Sequence, residues 1–194
     1  MVSVQIEKLE EYAHDNNIPI MMKDGINFLK DYIKKHNVKK ILEIGTAIGY
    51  SSIMMCLDSD ASVVTIERDE KRYIEALKNI KDFNLENRIK VIFKDAFDTE
   101  ITDTYDLIFI DAAKSQSIKF FNKFKSNLNK DGAIITDNLN FHGLTHTDKK
   151  IESKNVRGLV RKINEYITFL KENDEFKTTF LEIGDGISLS IRNN

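Results

Sequence analysis

The sequence predicts an α/β fold, a mostly parallel sheet covered by helices on both faces and closed at one edge by an antiparallel hairpin strand. Three observations predict it. From Lys40 onward, short β-branched runs alternate with amphipathic stretches, the pattern of repeated strand-helix units. The first run passes through a glycine turn, Gly45 to Gly49, straight into a helix start. Near the end, two apolar runs flank Gly184-Asp185-Gly186, which reads as a hairpin turn.

Taken in order, Val4, Ile6, Leu9, Tyr12 and Ala13, then Ile26, Leu29, Tyr32 and Ile33, recur every three or four residues and predict two helices. Between them Ile18-Pro19-Ile20 breaks the helix, because proline disfavours helical backbone at the residue before it. The predicted strands are Lys40 to Ile44, Ser62 to Ile66, Ile89 to Phe93, Asp106 to Ile110 and Ala133 to Thr136, joined by Phe176 to Ile183 and Ile187 to Ile191 to make seven. Helices are expected over Tyr50 to Leu57, Asp69 to Phe83 and Ser115 to Leu128. In the second of these, Tyr73, Leu77, Ile80 and Phe83 share a side. A last helix, Lys154 to Lys171, should bury Val156, Leu159, Val160, Ile163, Ile167 and Leu170. No repeat or linker divides the chain, so we expect one domain over 1–194, with 1–37 as an N-terminal helical cap and 38–194 as the core.

With 194 residues, 41% hydrophobic and 31% charged, the chain can bury a continuous core. It holds no apolar run near the roughly 20 residues of a membrane span. No export signal opens it, and a cytoplasmic location is expected. The single cysteine, Cys56, sits in an apolar segment and cannot form an internal disulfide. A net charge of -2 gives no global basic field, so a nucleic-acid partner would need a local patch.

The segment Ile41-Leu42-Glu43-Ile44-Gly45-Thr46-Ala47-Ile48-Gly49-Tyr50-Ser51 is a strand, a glycine turn and a helix start. Gly45 permits close backbone approach to a ligand, and the helix start offers free N–H groups. Glu67 follows Gly45 by 22 residues, at the end of the next strand, where a carboxylate can accept both hydroxyls of a ribose. The spacing E-x-G-x-x-x-G from Glu43 to Gly49 resembles the first motif of class I S-adenosylmethionine-dependent methyltransferases, which have a Rossmann-like fold. That resemblance implies S-adenosylmethionine as cofactor, with Gly45, Ser51, Glu67, Asp95 and Ala96 around it. It extends the expectation to Met21, Glu43, Thr46, Tyr50, Arg68 and Asp111.

The fourth and fifth strands end in Asp111-Ala112-Ala113-Lys114 and Thr136-Asp137-Asn138, and strand ends of an open α/β sheet converge on one crevice. Asp111, Asp137 and Asn138 would offer three oxygen ligands to a hard cation, Mg²⁺ first and Ca²⁺ or Mn²⁺ also admitted. Separately, Asp-Asn is ordinary turn chemistry and Lys114 an ordinary surface lysine. Together, D-x-x-K and D-N resemble the cation-dependent O-methyltransferases of catechol and caffeoyl-CoA type across nearly the whole chain. The resemblance implies Asp111, Asp137 and Asn138 as metal ligands and Lys114, beside Asp111, as the catalytic base. His142 and His146 share helical spacing, but Gly143 between them argues against a zinc pair.

Pro19-Ile20-Met21, the glycine segment, Asp111 to Lys114 and Ile135 to Asn138 are most similar to bacterial tRNA 5-hydroxyuridine methyltransferases. That implies the anticodon loop of tRNA as partner, 5-methoxyuridine at the wobble position as product, and a homodimer. A basic stretch, Lys149, Lys150, Lys154, Arg157, Arg161 and Lys162, could contact phosphates, although a solvated helix face reads the same. Tyr50, Phe141 and the phenylalanines near Phe120 could stack on a flipped base. Those tRNA enzymes read D-A-A-K-x-x-Y, whereas Ser117 stands at the tyrosine position here. The alternatives are methylation of small catechol-like or hydroxycinnamoyl-thioester substrates and, further off, a non-catalytic cofactor-binding module.

Overall fold

A computed structural model describes residues 2–140, 143–146 and 153–193. Its elements are α1 (Val2–Asp15), α2 (Lys23–Lys35), β1 (Lys40–Ile44), α3 (Tyr50–Leu57), β2 (Ser62–Glu67), α4 (Glu70–Asp82), β3 (Ile89–Phe93), β4 (Tyr105–Ile110), α5 (Ser117–Phe124), β5 (Leu128–Thr136), α6 (Lys154–Lys171), β6 (Phe176–Leu181) and β7 (Ile187–Arg192). The seven strands form one sheet in the order β3-β2-β1-β4-β5-β7-β6. β1 to β5 pair in parallel, and β7 lies antiparallel between β5 and β6. This is the predicted Rossmann-like methyltransferase architecture with its antiparallel C-terminal edge.

Side chains of a strand alternate between faces, and both faces here are buried, as a parallel sheet requires. Ile41, Val63, Leu107, Phe109 and Ile135 pack with Leu9, Ala13, Ile26, Leu29, Ile33 and Ile53 from α1, α2 and α3. Leu42, Ile44, Ile108, Ile110 and Ile134 pack with Phe120, Phe121 and Phe124 of α5 and Ile163, Tyr166 and Leu170 of α6.

The starts of α4 and α6 are capped by short polar side chains. Asp69 accepts from Arg72 N at 3.0 Å at the head of α4, and Ser153 accepts from Val156 N at 3.4 Å at the head of α6. The α4 stripe is rotated from the expected one: Ala76, Asn79 and Ile80 are buried and Leu77 is exposed. Asn79 draws that face inward, since its amide donates to Ile48 O at 2.9 Å.

The helix expected over Ser115 to Leu128 is shorter. 3₁₀ turns at Lys114–Gln116 and Lys125–Asn127 bracket α5, and Leu128 already belongs to β5. Phe120, Phe121 and Phe124 complete the buried stripe, and Asn127 then turns its amide to Ile101 O and Asp103 O. β5 begins before the predicted Ala133 because Leu128 pairs with Tyr105 ahead of a register shift.

Candidate active site

Strand register assembles the site. Ile44 lies opposite both Ile66 and Ile110, and Ile110 lies opposite Thr136. The residues that follow, Gly45, Glu67, Asp111 and Asp137, therefore leave the sheet as one row at its carboxyl edge. Strand order reverses between β1 and β4, the switch point at which ligands of open α/β sheets bind. A cavity of about 500 Å³ opens there, lined among others by Met21, Gly45, Thr46, Tyr50, Ser51, Glu67, Arg68, Asp95, Ala96, Asp111, Lys114 and Asn138.

At the glycine turn, Gly45 has φ +102°, and a Cβ there would collide with the Asp111 carbonyl oxygen. The position demands glycine because the β1 and β4 loops cross at backbone contact. Thr46 is buried and bonded to Thr65 at 2.6 Å. Tyr50 opens α3, and its hydroxyl donates to Glu10 Oε1 at 2.8 Å, with Lys23 pairing to Glu10 at 2.8 Å. The N-terminal cap is thereby tied to the cavity wall. Met21, just before α2, is buried on the same wall.

Glu67 is held by three backbone donors: Ala47 N at 2.8 Å on Oε2, and Arg68 N at 2.9 Å and Asp69 N at 2.8 Å on Oε1. A carboxylate has about four acceptor positions, so one is left for a ligand hydroxyl. Asp95 accepts from Phe97 N at 2.8 Å and from Arg68 at 3.2 Å. These two partners hold its carboxyl below the usual carboxylate range. Phe97, stacked on Phe120 with centroids 4.7 Å apart, closes that end.

Glu43 takes a different place from the expected one. It is fully buried behind the turn, where Ser51 and Ser52 hydroxyls both donate to its carboxylate, and it lies outside the cavity lining. Its part is to fix Ser51 and the start of α3. Burial pushes its carboxyl up to about 7, against the pull of the serine hydrogen bonds.

At the other end, Asn138 Nδ2 donates to Asp111 Oδ1 at 3.0 Å and to Asp137 Oδ2 at 3.1 Å. The Asn138 amide hydrogens therefore stand between the two carboxylates, where positive charge is wanted. Asn138 takes φ +69°, a conformation asparagine tolerates better than most residues. Asp137 Oδ1 is buried with no hydrogen bond. Burial raises both carboxyl pKa values. The mutual repulsion of the pair adds to this at Asp137, while Lys114 pulls both back. A buried, unbonded carboxylate oxygen beside a second carboxylate and an amide fits an oxygen-liganded hard cation. Among the described residues no group of three or more His, Cys, Asp and Glu side chains could hold a metal ion, so a cation here depends on the mixed set.

Ser117, buried at the head of α5, donates to Lys114 O at 3.0 Å and so braces the turn that carries the lysine. Arg72, Lys94, Phe97 and Gln116 also line the cavity and were not foreseen. Only Phe97 had a sequence signal, its adjacency to Asp95-Ala96. Phe141, His142, Lys149 and Lys150 lie outside the described residues, and His146 ends a 3₁₀ turn, Leu144–His146. No helix among the described residues is long and apolar enough to cross a membrane.

Comparison with known proteins places this geometry. The O-methyltransferase family profile matches residues 2–193. A Staphylococcus aureus protein provisionally named a caffeoyl-CoA O-methyltransferase has a crystal structure that superposes with a TM-score of 0.92 at 40% identity, covering 97% of this chain and 92% of that one. The Bacillus cereus O-methyltransferase, crystallised in complex with S-adenosylhomocysteine, gives a TM-score of 0.83 at 25% identity, covering 98% and 91%. The caffeoyl-CoA O-methyltransferase of Populus kitakamiensis is 28% identical over 97% of this chain and 86% of its own length. The profile match over nearly the whole chain and the shared fold show that the chain belongs to the O-methyltransferase family.

Proposed function

We propose that the protein is an S-adenosylmethionine-dependent O-methyltransferase whose acceptor is one hydroxyl of a vicinal oxygen pair, the 5-hydroxyl of 5-hydroxyuridine in tRNA foremost. The observation that carries the reading is the single row at the sheet's carboxyl edge. It brings Glu67, Asp111 and Asn138 to one cavity, with Asp137 beside them, hydrogen-bonded to Asn138; this supports reading Glu67 as the ribose-binding carboxylate and Asp111, Asp137 and Asn138 as the oxygen-ligand set.

Glu67 and Asp95 would hold the ribose and adenine end of S-adenosylmethionine and the Gly45 to Ser51 turn its methionine end, leaving Asp111 and Lys114 for the acceptor side of the cavity. A hard divalent cation, Mg²⁺ foremost, would be held by Asp111, Asp137 and Asn138, and would supply the positive charge that makes an adjacent hydroxyl more acidic. Lys114, as the neutral amine, accepts the proton of that hydroxyl and becomes the ammonium. As the oxygen-carbon bond forms, the carbon-sulfur bond breaks and the sulfonium leaves as a neutral thioether. Alignment of oxygen, carbon and sulfur is the main demand on the protein.

Uracil bearing a 5-hydroxyl has its 4-carbonyl next door, the same two-oxygen geometry as a catechol. The tRNA reading draws support from α6. Lys154, Arg157 and Arg161 are exposed at spacings of three and four residues, so they share one face. α6 also packs against the Lys114–Gln116 turn, so the helix that carries these charges is a neighbour of the turn that carries Lys114. The names of the caffeoyl-CoA and catechol relatives favour a second reading, methylation of small vicinal phenolics or their thioesters.

The deciding experiment offers labelled S-adenosylmethionine, with Mg²⁺ or EDTA, to tRNA containing 5-hydroxyuridine and to a catechol and caffeoyl-thioester panel. Metal-dependent labelling of the wobble uridine is expected. Labelling of the small phenolics alone would overturn the tRNA assignment, and undiminished transfer in EDTA would overturn the cation.

A further inference from the structure

The loop that carries Asp137 and Asn138 is clamped by the turn between β6 and β7. Leu139 N donates to Gly186 O at 2.9 Å and Asn140 N donates to Asp185 O at 2.7 Å. The fit leaves no slack, since Gly186 adopts φ +83° and a Cβ there would fall 2.8 Å from Asn140 N. The clamp brings in a third carboxylate. Asp185 is 6% exposed, as buried as Asp137, and its negative charge acts on Asp137 together with that of Asp111. Lys114 sets one positive charge against these three negative ones. Gathering buried like charges is costly unless something compensates them, and Asp137 Oδ1, buried without a hydrogen bond, marks where compensation is missing.

We infer that Asp185 is a positioning residue of the cation site: its turn holds the Asp137-Asn138 loop in the ligating arrangement, and its carboxylate adds a third negative charge that tightens divalent-cation binding. The inference rests on the cation reading given above. Asp185 is not counted as a ligand, in keeping with the absence of a three-carboxylate metal cluster among the described residues. Partners outside the ligand set commonly change metal affinity by 10- to 100-fold. The clamp uses the backbone carbonyl of Asp185, so Asp185→Asn removes the charge and leaves the clamp in place.

The test uses the full chain saturated with S-adenosylhomocysteine and titrated with Mn²⁺, free Mn²⁺ being read by electron paramagnetic resonance. Asp185→Asn is expected to weaken Mn²⁺ binding by about tenfold or more, with S-adenosylhomocysteine affinity and thermal midpoint close to wild type. Asp185→Glu, which keeps the charge, should stay within about threefold of wild type, because charge rather than shape is what counts. Unchanged Mn²⁺ affinity in Asp185→Asn overturns the inference. So does a loss of about tenfold or more against wild type in Asp185→Glu, an outcome that remains readable should Asp185→Asn fail to fold. A wild-type chain that binds S-adenosylhomocysteine but takes up no Mn²⁺ overturns the cation reading itself, and the inference with it.

Discussion

Lys114 begins the 3₁₀ turn after β4 and faces the cavity within electrostatic reach of Asp111 and Asp137. As the proposed base it touches the reacting hydroxyl and not the cofactor's binding groups. Lys114→Ala should therefore lower kcat by roughly 10²- to 10⁴-fold, the usual contribution of a general base. S-adenosylhomocysteine affinity, measured by calorimetry, should stay within about twofold, as expected for a group outside the cofactor contacts. Wild-type turnover in that variant would remove Lys114 from the mechanism.

Glu43 makes a different prediction, one of stability. Its carboxyl lies near 7 in the fold against an ordinary 4.5, with burial as the first cause. An acid whose folded pKa exceeds its unfolded value binds its proton more tightly when folded, so stability falls as pH rises from the lower value to the higher and the loss is complete above the higher. Glu43→Gln cannot ionise. Its stability should fall less steeply over that window, although Asp111 and Asp137, shifted in the same direction, keep part of the slope. Urea unfolding of both proteins across the window reads the difference, and parallel curves would mean that Glu43 ionises as readily in the fold as out of it.

At the scale of the element, α6 serves two purposes. Its inner face buries Val160, Ile163, Tyr166 and Leu170, and the Tyr166 hydroxyl bonds Thr136 at 2.8 Å, directly before Asp137. Its outer face carries Lys154, Arg157 and Arg161, and Glu165 meets both Arg161 at 3.7 Å and Lys162 at 2.7 Å. Replacing Lys154, Arg157 and Arg161 together by Gln should weaken tRNA binding and lower the slope of log K against log salt by roughly two to three, about 0.7 to 0.9 per lost phosphate contact. S-adenosylhomocysteine binding should not change, because none of the three lines the cavity. An unaltered salt slope in filter binding would show that this face does not meet the nucleic acid. The elements were legible to different degrees. β1 through β4 stood where their β-branched runs placed them, but the start of β5 did not, because Leu128 to Gly132 lacks an alternating pattern and is held in the sheet by the pairing of Leu128 with Tyr105 and the bond from the Asn129 amide to Asp106.

For the whole molecule, the sequence by itself determined the alternating strand-helix order and the antiparallel edge, and pointed to about half of the residues around the cavity. These depend on local periodicity, on glycine at forced backbone angles and on the types of side chain that end a strand. Tertiary structure decided what chain order cannot express. Asp111 and Asp137 are distant in sequence and become neighbours only because β4 pairs with β5 in one particular register. Glu43 reads like a cavity residue from its place in the motif, yet strand alternation and the serines of α3 turn it into the core. Asp185 reads as a hairpin turn, and only the return of β7 beside β5 brings it against the Asp137-Asn138 loop. A sequence specifies what each strand end carries, whereas sheet register and crossing loops decide which of those ends share a charge field, since that depends on distances through space and not along the chain.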